Sequence, residues 1–236
     1  MGKIKILIKV YGELPYQINF KKIKKFKSSI FEVVGVDYFS LPAYQNGIDY
    51  VTIEDYVWDD VIQKEKNINL IFGITNAHLS GRFYSRLLNE NRVIFSFSII
   101  RSFLQERHIA LENVVLKQLY AYSLAMLAKK SIAIEDICHN DTKCCLYDMN
   151  GDLSDVSATF FNPSICRSCE EFLSQKDVPE NKIQLAKREL KKLKISLFYR
   201  MLEWIKNHPI LFIVISFCFS VLSDFIASWL LNIITN

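Results

Sequence analysis

The chain has 236 residues, of which 50% are hydrophobic and 23% are charged, and its formal net charge is +4 at pH 7. This length suits one domain that is large enough for its own hydrophobic core. The charge excludes a uniformly basic nucleic-acid-binding protein, because residues 182–206 hold eight Lys or Arg against two Glu and the remainder is slightly acidic.

The N-terminal part predicts a strand, a helix and a short second strand. Residues 3–11 alternate and are rich in Ile and Val, which favours a strand. Residues 20–34 predict a helix, because their apolar side chains recur at helical spacing. We interpret the lysine run at 21–27 as the solvated face of that helix, and contact with anionic lipid or nucleic acid is the alternative. Residues 50–53 predict a short strand.

The middle of the chain predicts a layered α/β domain. Residues 67–74 and 92–100 predict strands, and residues 82–88 predict a further short element. Residues 112–130 predict a helix that is apolar nearly all round, as expected of a central buried helix. Strands that alternate with helices are typical of an α/β layered fold.

A cysteine cluster follows and predicts a structural metal site. Five of the six cysteines lie between Cys138 and Cys169, and a Cys-x-x-Cys in such a cluster indicates metal more than redox chemistry. Cys166 and Cys169 supply one pair of zinc ligands, and a second pair must come from the upstream loop. We expect His139 and Cys145, with Cys138 and Cys144 as competing ligands. Four protein ligands make the zinc structural, and free buried thiols are the alternative.

Residues 181–207 predict one long, basic, amphipathic helix. A heptad repeat runs through it and indicates a seam for self-association, with packing on its own domain as the alternative; the seam residues are Ile183, Leu190, Leu197 and Trp204. We expect its basic residues to contact anionic headgroups; they are Lys187, Arg188, Lys191, Lys192 and Lys194.

Residues 209–236 predict one membrane-spanning helix. A bilayer core of roughly 30 Å needs about 20 apolar helical residues, and this segment supplies them. Asp224 is its only acidic or basic residue, and such a carboxylate usually faces a bundle interior or water. The prediction is therefore a polar seam in an oligomer, with a plain anchor carrying protonated Asp224 as the alternative; the seam residues are Ser216, Ser220, Asp224 and Asn232.

These segments predict the domain organisation and the topology. We expect a soluble domain over residues 1–178, a heptad helix over 179–207 and a single span over 208–236. Basic residues beside a span favour the cytoplasmic side, so the N-terminal domain should face the cytoplasm of a plasma or inner membrane. A cytoplasmic domain also argues against structural disulfides.

The order of these pieces resembles the archaemetzincin branch of the metzincin metallopeptidases. The matching stretches span residues 67–169, and the Cys cluster is their most specific part; they are Phe72–Leu79, Val93–Ser98, the helix from Glu112, His139–Met149, Asp155 and Cys166–Cys169. The resemblance implies a zincin-like mixed sheet with helices and a structural zinc at the cysteines.

The chain departs from the family in its central helix. The resemblance implies a His-Glu-x-x-His zinc motif near residues 119–126, but that stretch holds no His, Glu, Asp or Cys. A catalytic zinc needs ligands one helical turn apart and a carboxylate base. We therefore expect no peptidase activity. His78 and His108 are not spaced as replacement ligands, and we expect ordinary surface or turn roles for both.

Three functions follow as hypotheses. The first is a membrane effector of prokaryotic immune type, activated by a cytoplasmic partner, which oligomerises and disrupts the membrane; its partner would be a nucleic-acid-guided or nucleotide-signalling immune protein, by analogy with known effectors. The second is a membrane-tethered adaptor. The third is a zinc peptidase with unusual ligands. None requires sequence-specific nucleic-acid binding by this chain.

Overall fold

The computed structural model describes residues 2–14, 17–42, 52–89, 91–106, 109–129, 134–193 and 197–235. Its strands are β1 (Ile4–Tyr11), β2 (Phe31–Phe39), β3 (Thr52–Ile53), β4 (Leu70–Thr75), β5 (His78–Leu79), β6 (Ser85–Leu88) and β7 (Arg92–Ser96). Its helices are α1 (Phe20–Lys25), α2 (Asp55–Val61), α3 (Arg101–Glu106), α4 (Leu111–Met126), α5 (Ile134–Ile137), α6 (Val156–Phe161), α7 (Arg167–Gln175), α8 (Glu180–Leu190), α9 (Leu197–Asn207) and α10 (Pro209–Thr235).

A five-stranded mixed sheet forms the centre of the fold, in the order β2-β1-β4-β7-β6. The first four strands are parallel, and β6 pairs antiparallel with β7 at the edge. Strands β4 and β7 are buried along their whole length, as expected of parallel strands covered on both faces. The α/β prediction is confirmed.

Alternate residues of the sheet face two different layers. Ile71 and Ile94 pack with Trp58 of α2 in one apolar cluster. On the opposite face, Phe72 packs against Tyr122 of α4, with ring centroids 6.3 Å apart. Because side chains alternate along a strand, neighbouring residues of β4 belong to different layers. Helix α4 therefore lies directly on one face of the sheet, and its side chains from 114 to 124 are buried.

The predicted helix over residues 20–34 is wrong in its second half. Helix α1 ends at Lys25, and β2 begins at Phe31, which pairs with Ile4. The Ser28 hydroxyl accepts a hydrogen bond from the backbone N–H of Ile30. Such a local bond from a side chain to the backbone competes with the backbone hydrogen bonds of a helix. Phe31 and Val33 are buried because they alternate on a strand.

Two further predicted boundaries shift. The strand predicted over 92–100 ends at Ser96, whose hydroxyl donates to the Ala77 carbonyl and accepts the N–H of Ser98. The chain then turns into α3. Within residues 82–88 only Ser85–Leu88 pair as a strand. Of the strand predicted over 50–53, Thr52–Ile53 is present, and the rest lies outside the described residues.

The single helix predicted over 181–207 is also wrong. Helix α8 ends at Leu190, a 3-10 turn covers Lys191–Leu193, and α9 begins at Leu197. The chain divides into two compact units, Met1–Lys194 and Ile195–Asn236. Helix α8 therefore belongs to the first unit, whereas the predicted boundary between residues 178 and 179 placed this helix outside the soluble domain.

The second unit contains α9 and α10. Helix α10 has 27 residues and runs without interruption from Pro209. The window Pro209–Ile226 has a mean hydropathy of 2.2, and none of it is buried. The helix is therefore long and apolar enough to span a membrane. The side chain of Asn232 lies outside the described residues, as does that of Leu197.

Candidate metal centre and adjoining cleft

Four side chains converge at the end of the α/β unit. They are His139, Cys145, Cys166 and Cys169, and their ligand atoms all lie within 4.8 Å of one another. A tetrahedral zinc ion with bonds of about 2.3 Å holds its sulfur ligands about 3.8 Å apart. Cys145 and Cys169 are buried, and the other two are half-buried. Within the described part of the chain no second group of this kind occurs.

Local structure brings the two halves of this cluster together. Cys166 immediately precedes α7, and Cys169 lies in its first turn, so one short segment presents both thiols. The upstream loop is tied to residue 164 by the N–H of Leu146, which donates to the Ser164 carbonyl at 2.8 Å. The Tyr147 hydroxyl donates to the Ala121 carbonyl of α4 at 2.9 Å. The loop is thereby anchored to the central helix.

The hydrogen bonds around the cluster suit a zinc–thiolate site. The N–H of Cys166 donates to the Cys145 sulfur at 3.4 Å, and the Cys166 sulfur lies 3.4 Å from Nε2 of His139. The other ring nitrogen, Nδ1, lies 2.8 Å from the Asp141 carbonyl, which leaves Nε2 free to face the sulfurs. Hydrogen bonding with Cys169, together with the backbone N–H groups of Cys166 and Tyr147 and with His139, lowers the pKa of Cys145 to about 5 against the opposing effect of burial. These contacts favour the thiolate, which is the form of cysteine that binds zinc.

The two cysteines that competed as zinc ligands, Cys138 and Cys144, lie outside this cluster. Cys138 lines the neighbouring cleft. Cys144 has a left-handed φ of 55°, and its carbonyl accepts the N–H and the hydroxyl of Ser164. Neither is part of the four-residue group. The backbone turn at Cys144 thus separates two adjacent cysteines, of which only Cys145 joins the cluster.

Asp148 is a buried carboxylate that the sequence did not single out. It accepts the N–H of Cys145 at 2.9 Å and the hydroxyl of Thr159 at 2.9 Å. It also lies 3.5 Å from Nε2 of His139. Buried charges are normally paired, so Asp148 fixes the shape of the metal-binding loop. The only signal in the sequence is an acidic residue inside an otherwise apolar Leu-Tyr-Asp-Met stretch.

A cleft of about 280 Å³ lies between α4, the edge strand β6 and the metal-binding loop. Its helical wall consists of Gln118, Ala121 and Tyr122. The Tyr122 hydroxyl lies 2.6 Å from the Ser85 hydroxyl of β6, so a hydrogen bond bridges the two walls. This helix is the one where the resemblance implied a zinc motif. Its cleft-facing residues carry an amide, a methyl group and a phenol, none of which is a usual zinc ligand in that arrangement.

The remaining predicted residues are dispersed. His78 lies in β5, and His108 lies outside the described residues. Ile183 and Leu190 are at most 1% exposed inside the first unit, so the predicted oligomer seam is wrong for these two positions. Lys187 forms an ion pair with Glu170 at 2.6 Å, and Arg188, Lys191 and Lys192 are exposed. Lys194 lies outside the described residues.

Comparison with known proteins supports the fold. No protein-family model and no curated protein matches the sequence. The crystal structure of archaemetzincin from Methanopyrus kandleri is similar with a TM-score of 0.50 and 15% identity, over 74% of this chain and 96% of that one. Archaemetzincin from Archaeoglobus fulgidus, solved with malonate, has a TM-score of 0.40 and 16% identity, over 73% and 99% of the two chains. The first likeness agrees with the predicted zincin-like fold, and it speaks for the fold alone.

Proposed function

We propose that this protein is a membrane-anchored binding protein with an archaemetzincin-like domain that lacks peptidase activity. The observation that carries the proposal is the cleft between α4 and β6, whose two walls are joined by the hydrogen bond between Tyr122 and Ser85. Metal-assisted hydrolysis needs a metal with an open position and a base beside it. The helical wall offers neither, whereas a concave, mostly preformed cleft is suited to binding.

Zinc has a structural role in this proposal. His139, Cys145, Cys166 and Cys169 would hold the ion, and their four bonds would leave no position open for a substrate. The ion would join the loop to the start of α7 across more than 20 residues of sequence. Because a preformed site does not exist in an unfolded chain, zinc binding would contribute directly to the folding free energy.

Metal analysis and peptidase assays test the lack of catalysis together. The full-length chain in detergent should contain one zinc per chain and cleave no peptide, with or without a chelator. Two zinc ions per chain together with chelator-sensitive cleavage would establish the peptidase alternative.

The membrane anchor is supported by the second unit. Helix α10 is about 40 Å long at 1.5 Å per residue, which exceeds a hydrocarbon core of roughly 30 Å. Its described side chains are exposed, which distinguishes it from the core helix of a water-soluble protein. The exposed Arg188, Lys191 and Lys192 precede it and favour a cytoplasmic N-terminal unit.

The binding role requires a partner that reaches the cleft from the cytoplasm. By analogy, we consider an immune protein of nucleic-acid-guided or nucleotide-signalling type. Co-purification in mild detergent with the product of the neighbouring gene is the direct test. Ala121→Arg fills the cleft and should abolish co-purification, whereas Glu171→Arg on an exposed surface should not. Equal recovery with both variants would exclude the cleft as the binding site.

Asp224 favours a second candidate, the oligomeric membrane effector. The hydroxyls of Ser216 and Ser223 donate to carbonyls four residues earlier, at 2.8 Å in both cases. These two hydroxyl donors therefore have their hydrogen-bond partners within the helix itself. A carboxylate in hydrocarbon gains from a polar partner on another helix. A membrane-potential dye assay after induced expression should show depolarisation that Asp224→Ala abolishes and Ser223→Ala preserves. An intact membrane potential under activating conditions would contradict the membrane effector and would leave α10 as a simple anchor.

A further inference from the structure

Two basic segments that are far apart in the sequence meet at the N-terminal end of α4. The first lies on and after α1, and the backbone N–H of Asn19, the residue before this helix, donates to the Glu112 carboxylate at 2.9 Å. The second lies at the end of α8. The turn after α8 is bonded to the next residue of α4, because the Asn113 side chain donates to the Leu193 carbonyl at 3.0 Å. One end of α4 therefore holds both segments.

The two segments are also bonded to each other. The first comprises residues 21–27, and the second comprises residues 188–192. The Glu189 carboxylate of the second segment accepts hydrogen bonds from the Ser28 hydroxyl at 2.8 Å and from the Ser29 N–H at 2.9 Å. Both serines directly follow the first segment. The segments therefore lie side by side, although 161 positions separate Ser28 from Glu189 in the sequence.

The charge that this pair of segments exposes is entirely positive. Their one acidic residue is Glu189, which is only 6% exposed. The other charged residues are all exposed and form what we call the basic surface; they are Lys21, Lys22, Lys24, Lys25, Lys27, Arg188, Lys191 and Lys192. The lysine run alone fits the solvated face of a helix. A second cationic segment beside it concentrates positive charge on one side of the domain and raises the local attraction for anions.

An anionic lipid surface fits both this charge and its place in the chain. Residues 193–208 connect Lys192 to α10, and 11 of them form α9, which is about 17 Å long at 1.5 Å per residue. Even with the other residues extended, Lys192 stays within roughly 40 Å of Pro209. Clusters of about four to eight Lys or Arg beside a span attract anionic lipids, and each such residue strengthens binding about fivefold.

A single-stranded nucleic acid fits this surface less well. Proteins that bind such strands combine positive charge with aromatic rings on which the bases stack. The aromatic residue inside the lysine run, Phe26, instead packs against the buried Tyr120, with ring centroids 6.3 Å apart. A nucleic acid also lacks the covalent tether that keeps the basic surface close to the membrane.

We propose that the basic surface docks on the headgroups of anionic lipids in the membrane that α10 spans. The proposal rests on the membrane anchor of the proposed function, to which it adds a second, electrostatic contact. Both segments take part in that contact, because Glu189 and α4 hold them side by side. The contact depends on lipid charge and on salt, since electrostatic attraction extends only about 8 Å at physiological ionic strength.

Lysine acetylation of the full-length chain in lipid nanodiscs tests the docking. Both faces of a nanodisc are open to the reagent, and mass spectrometry gives the rate at each lysine. Lys24 and Lys191 should react at least fivefold more slowly in discs that contain phosphatidylglycerol than in discs of phosphatidylcholine alone. Salt at about 1 M, where the Debye length is about 3 Å, should remove the difference. Lys129 is exposed beyond the other end of α4, about 24 Å along the helix, and should react equally in both discs.

Two matched variants test whether the two segments act together. The first removes three charges from the second segment and should return the acetylation rate of Lys24 to within twofold of its rate in phosphatidylcholine; its changes are Arg188→Gln, Lys191→Gln and Lys192→Gln. The control variant removes three charges elsewhere and should leave Lys24 protected; its changes are Lys129→Gln, Lys143→Gln and Arg167→Gln. Lys24 that stays protected in the first variant would contradict a shared surface.

The remaining outcomes separate this proposal from the membrane anchor. Equal rates at Lys24 in the two kinds of disc would overturn the docking, while a chain that stays in the discs would retain its anchor. A chain that elutes apart from the discs would overturn the anchor and the docking with it. Protection of Lys24 by an added single-stranded RNA, but not by phosphatidylglycerol, would replace the lipid with a nucleic acid as the partner.

Discussion

Glu189 joins α8 to the rest of the first unit through a buried carboxylate. It accepts hydrogen bonds from the Ser28 hydroxyl at 2.8 Å, the Ser29 N–H at 2.9 Å and the Tyr120 hydroxyl at 2.5 Å. Burial by itself raises the pKa of Glu189, but the bonds from Tyr120, Ser29 and Ser28 outweigh it and lower the pKa below 4.5. The ionised form is therefore the one that the fold stabilises.

Replacing Glu189 should destabilise the domain and change its response to acid. Glu189→Gln should cost about 1.5–3 kcal/mol, since hydrogen bonds to a charged acceptor are lost. Because the folded pKa is depressed, the contribution of Glu189 is present above pH 4.5 and is lost as the pH falls through the folded value. Denaturant unfolding between pH 3 and 7 should show a smaller loss of stability on acidification in the variant.

The matched control is Glu171→Gln on α7. Glu171 is 58% exposed and pairs with Arg167 four residues earlier. Exposed pairs of this kind contribute about 0.3–0.5 kcal/mol. Equal effects of the two substitutions would show that the buried bonds of Glu189 add nothing to stability.

The adjacent cysteines give a sharp test of the metal centre. Cys145→Ser should remove zinc from the purified chain and lower its melting temperature, because Cys145 belongs to the four-residue cluster. Cys144→Ser should retain one zinc per chain, measured by elemental analysis. Loss of zinc from both variants, or from neither, would contradict the ligand set.

At the level of elements, α8 is the part whose position differs most from the sequence-based interpretation. Its heptad positions Ile183 and Leu190 are buried in the first unit, together with Ala186 and Leu193. Asn113 of α4 donates to the Leu193 carbonyl at 3.0 Å. The apolar face of α8 is thus already covered within the same chain, as the alternative interpretation of the heptad held.

Truncation of that face should affect folding and not association. Ile183→Ala should cost about 2–5 kcal/mol of unfolding free energy, as large-to-small core substitutions do. Met201→Ala on α9 should change it by less than about 0.5 kcal/mol, because Met201 is 54% exposed. Chemical denaturation measures both. If Ile183→Ala kept its unfolding free energy but no longer formed oligomers, the heptad positions would be a self-association seam after all.

Helix α10 should determine how the chain is extracted from cells. The full-length chain should stay in the membrane pellet through alkaline carbonate washing, because the free energy of inserting about 20 apolar residues is large. A chain that ends at Asn207 should be released into the soluble fraction. Release of the full-length chain by carbonate would exclude a membrane span.

At the scale of the whole molecule, two different principles hold the first unit together. The α/β layers bury apolar side chains on both faces of the sheet, as a domain of this size allows. The Cys-rich segment has little regular structure and relies on the metal cluster, the Asp148 bonds and the Tyr147 bond to α4. Loss of zinc should therefore loosen this segment before the sheet.

Hydrogen exchange should resolve that order of stability. After chelation, amides in residues 139–150 should exchange at least tenfold faster, while amides of β4 should change little, since locally stabilised segments open independently of the core. Uniform acceleration throughout the first unit would instead show that zinc supports the fold as a whole.

Local sequence determined the features that depend on neighbouring residues. The apolar runs of β1, β4 and β7 specify buried strands, the length of α10 specifies a possible span, and Cys166-x-x-Cys169 places two thiols in one turn. The missing zinc motif in α4 is likewise readable from the sequence, because metal ligands on a helix must recur at one-turn spacing.

Tertiary structure decided the features that depend on distant residues. The choice of Cys145 over Cys144 follows from a left-handed turn and a pairing with Ser164. The burial of Ile183 follows from the surface that covers α8. The contact of the metal-binding loop with α4 follows from the bond between Tyr147 and the Ala121 carbonyl. Periodicity shows that a helix has an apolar face, but it does not show which surface buries that face. Contacts across the chain supply that information.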